Sequence, residues 1–300
     1  LSTDGGEIAL QGQLDTRSEA YEIELRCDSF PLNRFLPADS LGLLDLALQA
    51  GGSGFDPLRA QTRGNIRLQV DRAEFRGRDF GGVELNANLE GGQLSGRLSD
   101  RDEALRLLLL VSGTLTERKQ EVRLTGNVFD FDLAELGISP QKIGGSFALE
   151  AGASASDAGS YTARIALDSI EVRTRHRTDR IRPTSLSLSS DTTATRAKLA
   201  SGDLSLAFVS PGPVDSLVPA LTRSADILAR QIRAQSVDME TLKPALPDFS
   251  LSVTAGRENI LNNFLKTKKM SFGALDIEGV NCDSLPVSLR IKAERLTWGG

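Results

Sequence analysis

Val83-Glu84-Leu85-Asn86-Ala87-Asn88-Leu89-Glu90-Gly91-Gly92 decides how the chain folds. Apolar residues stand at every second position, with polar ones between them. In extended backbone successive side chains point to opposite faces, so this segment is a strand with one apolar and one wet face. The alternation recurs at Tyr21/Ile23/Leu25/Cys27, Ile66/Leu68/Val70, Val122/Leu124, Ile165/Leu167, Leu186/Leu188, Leu204/Leu206/Phe208, Leu251/Val253 and Val287/Leu289/Ile291. Glycine-rich breaks are expected at Gly51-Gly52-Ser53-Gly54, Gly81-Gly82, Gly91-Gly92 and Gly144-Gly145. A parallel sheet covered on both faces reads as continuous apolar runs, so this pattern predicts antiparallel meanders. Leu105–Val111 is apolar on both faces and is expected to be locally covered.

Helical spacing is confined to short stretches. Val214, Leu217, Val218, Leu221, Ala225, Leu228 and Ile232 form an amphipathic stripe after Pro211-Gly212-Pro213, with Asp215 or Ser216 placed to cap it. The stripe can lie on a bilayer, close over a groove or pack against a sheet edge. Ile260, Leu261, Phe264 and Leu265 predict a second, shorter helix near 258–266, and Leu32–Leu36 and Leu133–Leu136 predict single helical turns.

The composition excludes several kinds of function. The 300 residues carry 35 basic and 40 acidic side chains, which argues against a nucleic-acid partner, whose binding proteins present a basic face. One histidine and two distant cysteines, Cys27 and Cys282, cannot complete a zinc set or a disulfide framework; both thiols are expected to pack as small hydrophobes. Asp130, Asp132 and Glu135 lack the spacing of a calcium loop. His176 lies in an arginine-rich strand and is expected at the surface, not as a general base. No apolar run reaches the ~18 residues of a membrane helix. With 45 leucines against 15 aromatic residues, the chain has aliphatic surface in quantity and few of the side chains enzymes favour. No catalytic residue, metal ligand or cofactor is assigned.

An internal repeat organises the pattern. Phe30-Pro31-Leu32-Asn33-Arg34-Phe35 matches Phe131-Asp132-Leu133-Ala134-Glu135-Leu136 at an offset of about 101. The same register lays Leu46-Ala47-Leu48-Gln49-Ala50-Gly51 on Phe147-Ala148-Leu149-Glu150-Ala151-Gly152. A third, shorter copy spans Val237-Asp238-Met239-Glu240-Thr241-Leu242 and Leu251-Ser252-Val253-Thr254-Ala255-Gly256. Repeats of this kind stack quasi-linearly. The expected divisions are residues 1–120 and 121–212 as repeats, 213–235 as the amphipathic helix, and 236–300 as a partial repeat.

The strand–loop–helix repeats, with Val237-Asp238-Met239-Glu240-Thr241-Leu242, Leu246-Pro247-Asp248-Phe249-Ser250-Leu251 and Ala255-Gly256-Arg257-Glu258-Asn259-Ile260-Leu261-Asn262-Asn263-Phe264-Leu265, resemble the AsmA-like superfamily. Within it they are similar to TamB-type proteins of Bacteroidetes. The resemblance implies an elongated, curled antiparallel β-groove in the periplasm of a Gram-negative bacterium, anchored to the inner membrane by a segment outside these residues. It also implies transport of phospholipid or other lipid toward the outer membrane, with a BamA/TamA-like barrel as partner. It transfers no catalytic residue.

If the apolar faces all point one way, a curled sheet encloses an aliphatic trough. An acyl chain of ~16 carbons in water is costly by on the order of 12 kcal/mol, at ~0.8 kcal/mol per methylene, and such a lining removes most of that. The expected lining is Ile66, Leu68, Val70, Val83, Leu85, Leu89, Leu124, Phe147 and Leu149, continuing with Leu186, Leu188, Leu204, Leu206 and Phe208. Arg173, Arg175 and Arg177 are expected on one strand face, as phosphate-directed headgroup contacts or as a solvated surface. Lys266-Thr267-Lys268-Lys269 is a small basic cluster with the same alternatives. Alternation alone also allows a closed β-sandwich. Two other functions stay open: a scaffold that pairs its edges with outer-membrane strands, and a sandwich adhesin or carbohydrate-binding module.

Overall fold

The computed structural model describes residues 2–3, 6–34, 41–156, 159–234, 236, 238–267, 269–282 and 285–298. Leu36, Val237 and Lys268, assigned above to a helical turn, a motif and a basic cluster, lie outside the described residues. The chain is mainly β, and nineteen strands form one large antiparallel sheet that does not close into a barrel. It divides into two compact units, Leu1–Ser154 with Ser169–Arg180, and Ala155–Asp168 with Ile181–Gly300.

The first unit holds β1 (Ser2–Thr3), β2 (Gly6–Asp15), β3 (Ala20–Pro31), β4 (Leu41–Ser53), β5 (Arg63–Phe75) and β6 (Arg78–Phe80). It continues with β7 (Val83–Glu90), β8 (Gln93–Arg101), β9 (Leu105–Leu115), β10 (Lys119–Asp132), nearly all of β11 (Gly144–Ser156) and the end of β12 (Tyr161–Arg173). From β2 to β10 each long strand pairs antiparallel with the next, and β6 is a short return on β5.

Two of the glycine breaks differ from expectation. Gly91 and Gly92 both have positive φ, +59° and +74°, and make the two-residue hairpin that joins β7 to β8. Gly51-Gly52-Ser53, by contrast, lie inside β4, and Gly144-Gly145 open β11. A Cβ on Gly52 would meet the Arg63 carbonyl oxygen at 2.2 Å, so this glycine permits close strand approach and breaks nothing.

The first unit ends in β13 (Thr178–Ile181), of which only Ile181 belongs to the second. The second unit holds Tyr161–Asp168 of β12 and continues with β14 (Thr184–Ser190), β15 (Ala194–Ser201) and β16 (Leu204–Pro211). Then come α1 (Val214–Arg233), α2 (Met239–Leu242), β17 (Phe249–Ala255), α3 (Ile260–Thr267), β18 (Met270–Ser271), β19 (Ala274–Cys282), β20 (Leu285–Glu294) and β21 (Thr297–Trp298). Strands β14, β15, β16, β17, β19 and β20 pair antiparallel in that order, while β18 and β21 form a separate ribbon.

This unit has its own core. Leu204, Val253, Ala255 and Phe272 are buried together, and Leu261 and Leu265 of α3 pack on them. The cap of α3 is polar: Asn259 Oδ1 accepts the Asn262 N–H at 2.8 Å, and Asn259 Nδ2 donates to Asp203 Oδ1 at 2.6 Å. No helix among the described residues is long and apolar enough to cross a membrane.

The 20-residue helix α1 matches its stripe in extent but departs from it in two respects. Neither Asp215 nor Ser216 caps it. The first residue of α1, Val214, donates its N–H to Ser190 Oγ at 2.8 Å, from the end of β14, which no local pattern could announce. The helix also docks by one edge of the apolar stripe and the flank beside it. Leu217 and Ser224 are buried, with Ser224 Oγ donating to the Ala245 carbonyl at 2.6 Å, whereas Val218, Leu221, Leu228 and Ile232 stay exposed.

Two aspartates of the second unit make it sensitive to acid. Hydrogen bonds from the Thr193 hydroxyl, then from the backbone N–H groups of Thr193 and Ala194, hold Asp191 down at about 2. At Asp203 desolvation pushes upward, but bonds from Asn259 and the N–H groups of Glu258, Gly256 and Arg257 outweigh it and leave the carboxyl below its ordinary value. A depressed folded-state pKa gives stability that is present above the unfolded value of about 3.9 and lost as pH falls through the folded one. The melting temperature is therefore expected to drop between about pH 4 and pH 2, with a shallower drop in Asp191→Asn. Identical pH profiles for the two proteins would remove this role of Asp191.

Candidate functional site

Directly paired residues of neighbouring strands share a face of the sheet. In the first unit the register therefore assembles the alternating residues into rows across the strands. One row runs Leu10–Leu25–Leu48–Leu68–Leu85–Leu98–Leu109–Gly126, and the next runs Gly12–Ile23–Ala50–Ile66–Ala87–Gly96–Val111–Leu124. A third runs Leu14–Tyr21–Gly52–Gly64–Leu89–Leu94–Gly113–Val122, and a shorter fourth joins Ile8, Cys27, Leu46, Val70 and Val83.

The row on the other face, Gln11–Glu24–Gln49–Arg67–Asn86–Arg97–Leu110–Thr125, is polar in all but one member. That member, Leu110, corrects the expectation that Leu105–Val111 is covered, because it sits exposed between Arg97 and Thr125.

The seven predicted lining residues from Ile66 to Leu124 thus fall on one face. That face is partly open: Leu10 is 71% exposed and Ile66 42%, with Leu14 and Ile23 also exposed. Among the described residues the first unit has no α-helix to lay over it. At ~4.8 Å per strand, the seven steps of a long row span roughly 34 Å. Phe147 and Leu149 of β11 are half-buried, with the Phe147 ring edge-on to Phe131 at 6.1 Å.

In the second unit the register forms Ile165–Leu186–Leu199–Leu206–Val253–Ile277–Ile291 and Ala163–Leu188–Ala197–Phe208–Leu251–Gly279–Leu289. Leu186, Leu188, Leu206 and Phe208 lie on these rows, and Leu186, Ile165, Leu289 and Ile291 are exposed. Leu204 is a correction. At 4% exposure, in the cluster with Phe272 and with α3 packed on it, it belongs to the core and lines no accessible surface.

The arginine trio also differs from expectation. β12 stops at Arg173, and the Thr174 N–H donates to the Arg177 carbonyl at 2.9 Å to close a tight turn, so the three side chains share no strand face. Arg173 is bound by Asp130, with Glu171 3.8 Å away, and Arg177 pairs with Asp179 at 2.7 Å. Among the described residues Arg175 alone of the three has no ion-pair partner, and it lines a cleft.

This cleft, of 830 Å³, opens at the ends of the strands of the first unit. Phe80, Ala104 and Phe131 give it apolar wall, while Arg78, Lys142, Arg173 and Arg175 face six carboxylates. Most of those carboxylates are engaged. Asp130 binds Arg173 and, at 3.5 Å, Arg106; Glu135 holds Arg78 at 2.6 Å; Asp79 holds Arg72 at 2.9 Å. Asp102 accepts the N–H groups of Gly81 and Ala104, and Asp132 those of Ala134 and Glu135. Lys142, Arg175 and Glu103 are exposed and, among the described residues, have no ion-pair partner.

Sequence reading found Arg173 and Arg175, and weighed Asp130, Asp132 and Glu135 only as calcium ligands. Glu103, Lys142 and Phe80 carry no sequence signal, and Phe131 stands out only in the repeat, because the strands and their connections bring these residues together only in the fold. No group of three or more metal-ligating side chains occurs among the described residues. Compared with known protein families, with characterised proteins and with solved structures, the chain matches none.

Proposed function

We propose that this chain shields or conducts lipid acyl chains, as a repeat segment of a TamB-type, AsmA-like protein of the Gram-negative periplasm. One observation carries the reading: rows of aliphatic side chains and glycines, with Tyr21 as the one ring, extend partly exposed across eight paired strands of an open sheet. A row of roughly 34 Å exceeds the ~15 Å that one acyl chain covers in half of a ~30 Å hydrocarbon layer. Aliphatic contact removes methylenes from water without fixing them in place, which suits a cargo that must move on.

The repeat adds support. The succession of strand lengths 13, 13, 3, 8, 9 and 11 in β4 to β9 recurs as 13, 13, 4, 7, 8 and 8 in β11 to β16. Conduction of lipid needs no covalent chemistry, so the proposed role is non-enzymatic.

The test is native mass spectrometry of the purified chain after mixing with phospholipid vesicles. Adducts of one or more intact lipids are expected. A chain that stays bare, while its apolar faces also fail to bind a fluorescent fatty acid, overturns the reading. The alternative is a scaffold that offers its strand edges to outer-membrane strands. Capture of denatured outer-membrane barrel strands by a lipid-free chain would support the scaffold instead.

A further inference from the structure

Resting on the acyl-chain reading, the charged cleft continues the apolar face. Leu105 and Phe131 are directly paired, and Leu105 shares its face with Leu107, Leu109 and Val111, so Phe131 stands at the end of the rows. Phe80 pairs with Ala73 on the neighbouring return of β6. An acyl chain lying on the rows thus ends beside Phe80 and Phe131, where the wall turns polar.

The charges there are nearly balanced. Arg72 and Arg106 neutralise carboxylates from outside the lining, and Asp102 and Asp132 are held by backbone N–H groups. Among the described residues the lining charges left with neither a hydrogen bond nor an ion pair are of both signs: Lys142 and Arg175 as cations, Glu103 as an anion. A purely anionic headgroup satisfies the two cations and leaves Glu103 opposed to it. A headgroup with a phosphate and a primary ammonium satisfies all three, since guanidinium and ammonium donate to phosphate oxygens and a carboxylate accepts from an ammonium.

We propose that this cleft is a headgroup site for zwitterionic phosphoethanolamine lipids, with Lys142 and Arg175 on the phosphate and Glu103 on the ammonium. The site selects the lipid whose tails the rows carry. The experiment mixes the full chain with vesicles of equimolar phosphatidylethanolamine and phosphatidylglycerol, then quantifies the retained lipid by mass spectrometry. Wild type is expected to retain the ethanolamine lipid at least threefold over the glycerol lipid. Glu103→Lys should reverse the ratio, and Lys142→Ala/Arg175→Ala should lower total retention and abolish the preference. All three side chains are exposed, and circular dichroism verifies that the variants stay folded. Retention at the vesicle ratio by wild type and variants alike overturns the headgroup site and leaves the acyl reading standing. No retention of either lipid by wild type removes both.

Discussion

Asn262→Ala is expected to destabilise the second unit by about 3 kcal/mol, although it deletes only one small polar group. The side chain is 1% exposed, so water cannot replace what it provides. Its Nδ2 donates to the carbonyls of Phe272 at 3.0 Å and Arg257 at 3.2 Å, and its Oδ1 accepts the Phe272 N–H at 3.3 Å. Removing it strands buried backbone groups of Phe272, each of which costs about 1–3 kcal/mol when left without a partner. Phe272 is itself a core residue against Leu204 and Val253, so the loss also loosens the packing of α3. Urea denaturation should show the full loss, and hydrogen exchange should speed up in β16 and β17. Asn263→Ala, one position along and only half-buried, should stay within about 0.5 kcal/mol of wild type. Equal losses in the two variants would mean that helix propensity, and not the Phe272 bonds, sets the effect.

That asparagine shows where reading the sequence stopped. Asn259 and Asn262 stood out only as part of a motif; their roles depend on Asp203 and Phe272, which the fold brings to them. The strands were legible because period-two alternation is a local property, and Val83–Glu90 is a strand over the span the pattern marks. The glycines were less so, since Gly91-Gly92 and Gly51-Gly52 look alike in sequence. Backbone sign separates the first pair as a hairpin, and a neighbouring carbonyl explains the second as a close approach. The helix α1 was legible in extent, yet its docked flank was not, because Ser224 finds the Ala245 carbonyl only in three dimensions. The cleft was the least legible feature. Glu103, Lys142 and Arg175 come from segments far apart in the chain and meet only at strand ends. The open apolar face lies between these cases. Its residues were readable one strand at a time, but whether the rows align depended on register, and a slip of one residue would have interleaved leucine with glutamate.

Ile66→Glu is expected to reduce lipid retention at least tenfold, whereas Arg67→Glu, the next residue, should leave it within a factor of about two. Ile66 lies in an apolar row between Ala50 and Ala87, and Arg67 lies on the opposite face between Gln49 and Asn86. Because Ile66 is already 42% exposed, its replacement leaves the sheet's own packing largely intact, and the folded state should survive. An acyl chain lying on the row must instead desolvate the new carboxylate. Burying such a polar group without a partner costs at least 1–3 kcal/mol, and 1.4 kcal/mol corresponds to a tenfold change in affinity. Arg67→Glu makes a larger change of charge, from +1 to −1, at nearly the same point in the fold, but on the face that carries no cargo. Lipid adducts counted by native mass spectrometry on both variants, with melting temperatures alongside, separate the outcomes. Equal loss in both would show that charge near β5 matters and face does not, which defeats the row as the binding surface. Loss in Ile66→Glu alone, with melting temperature preserved, is the signature of a lipid bound to one side of an open sheet.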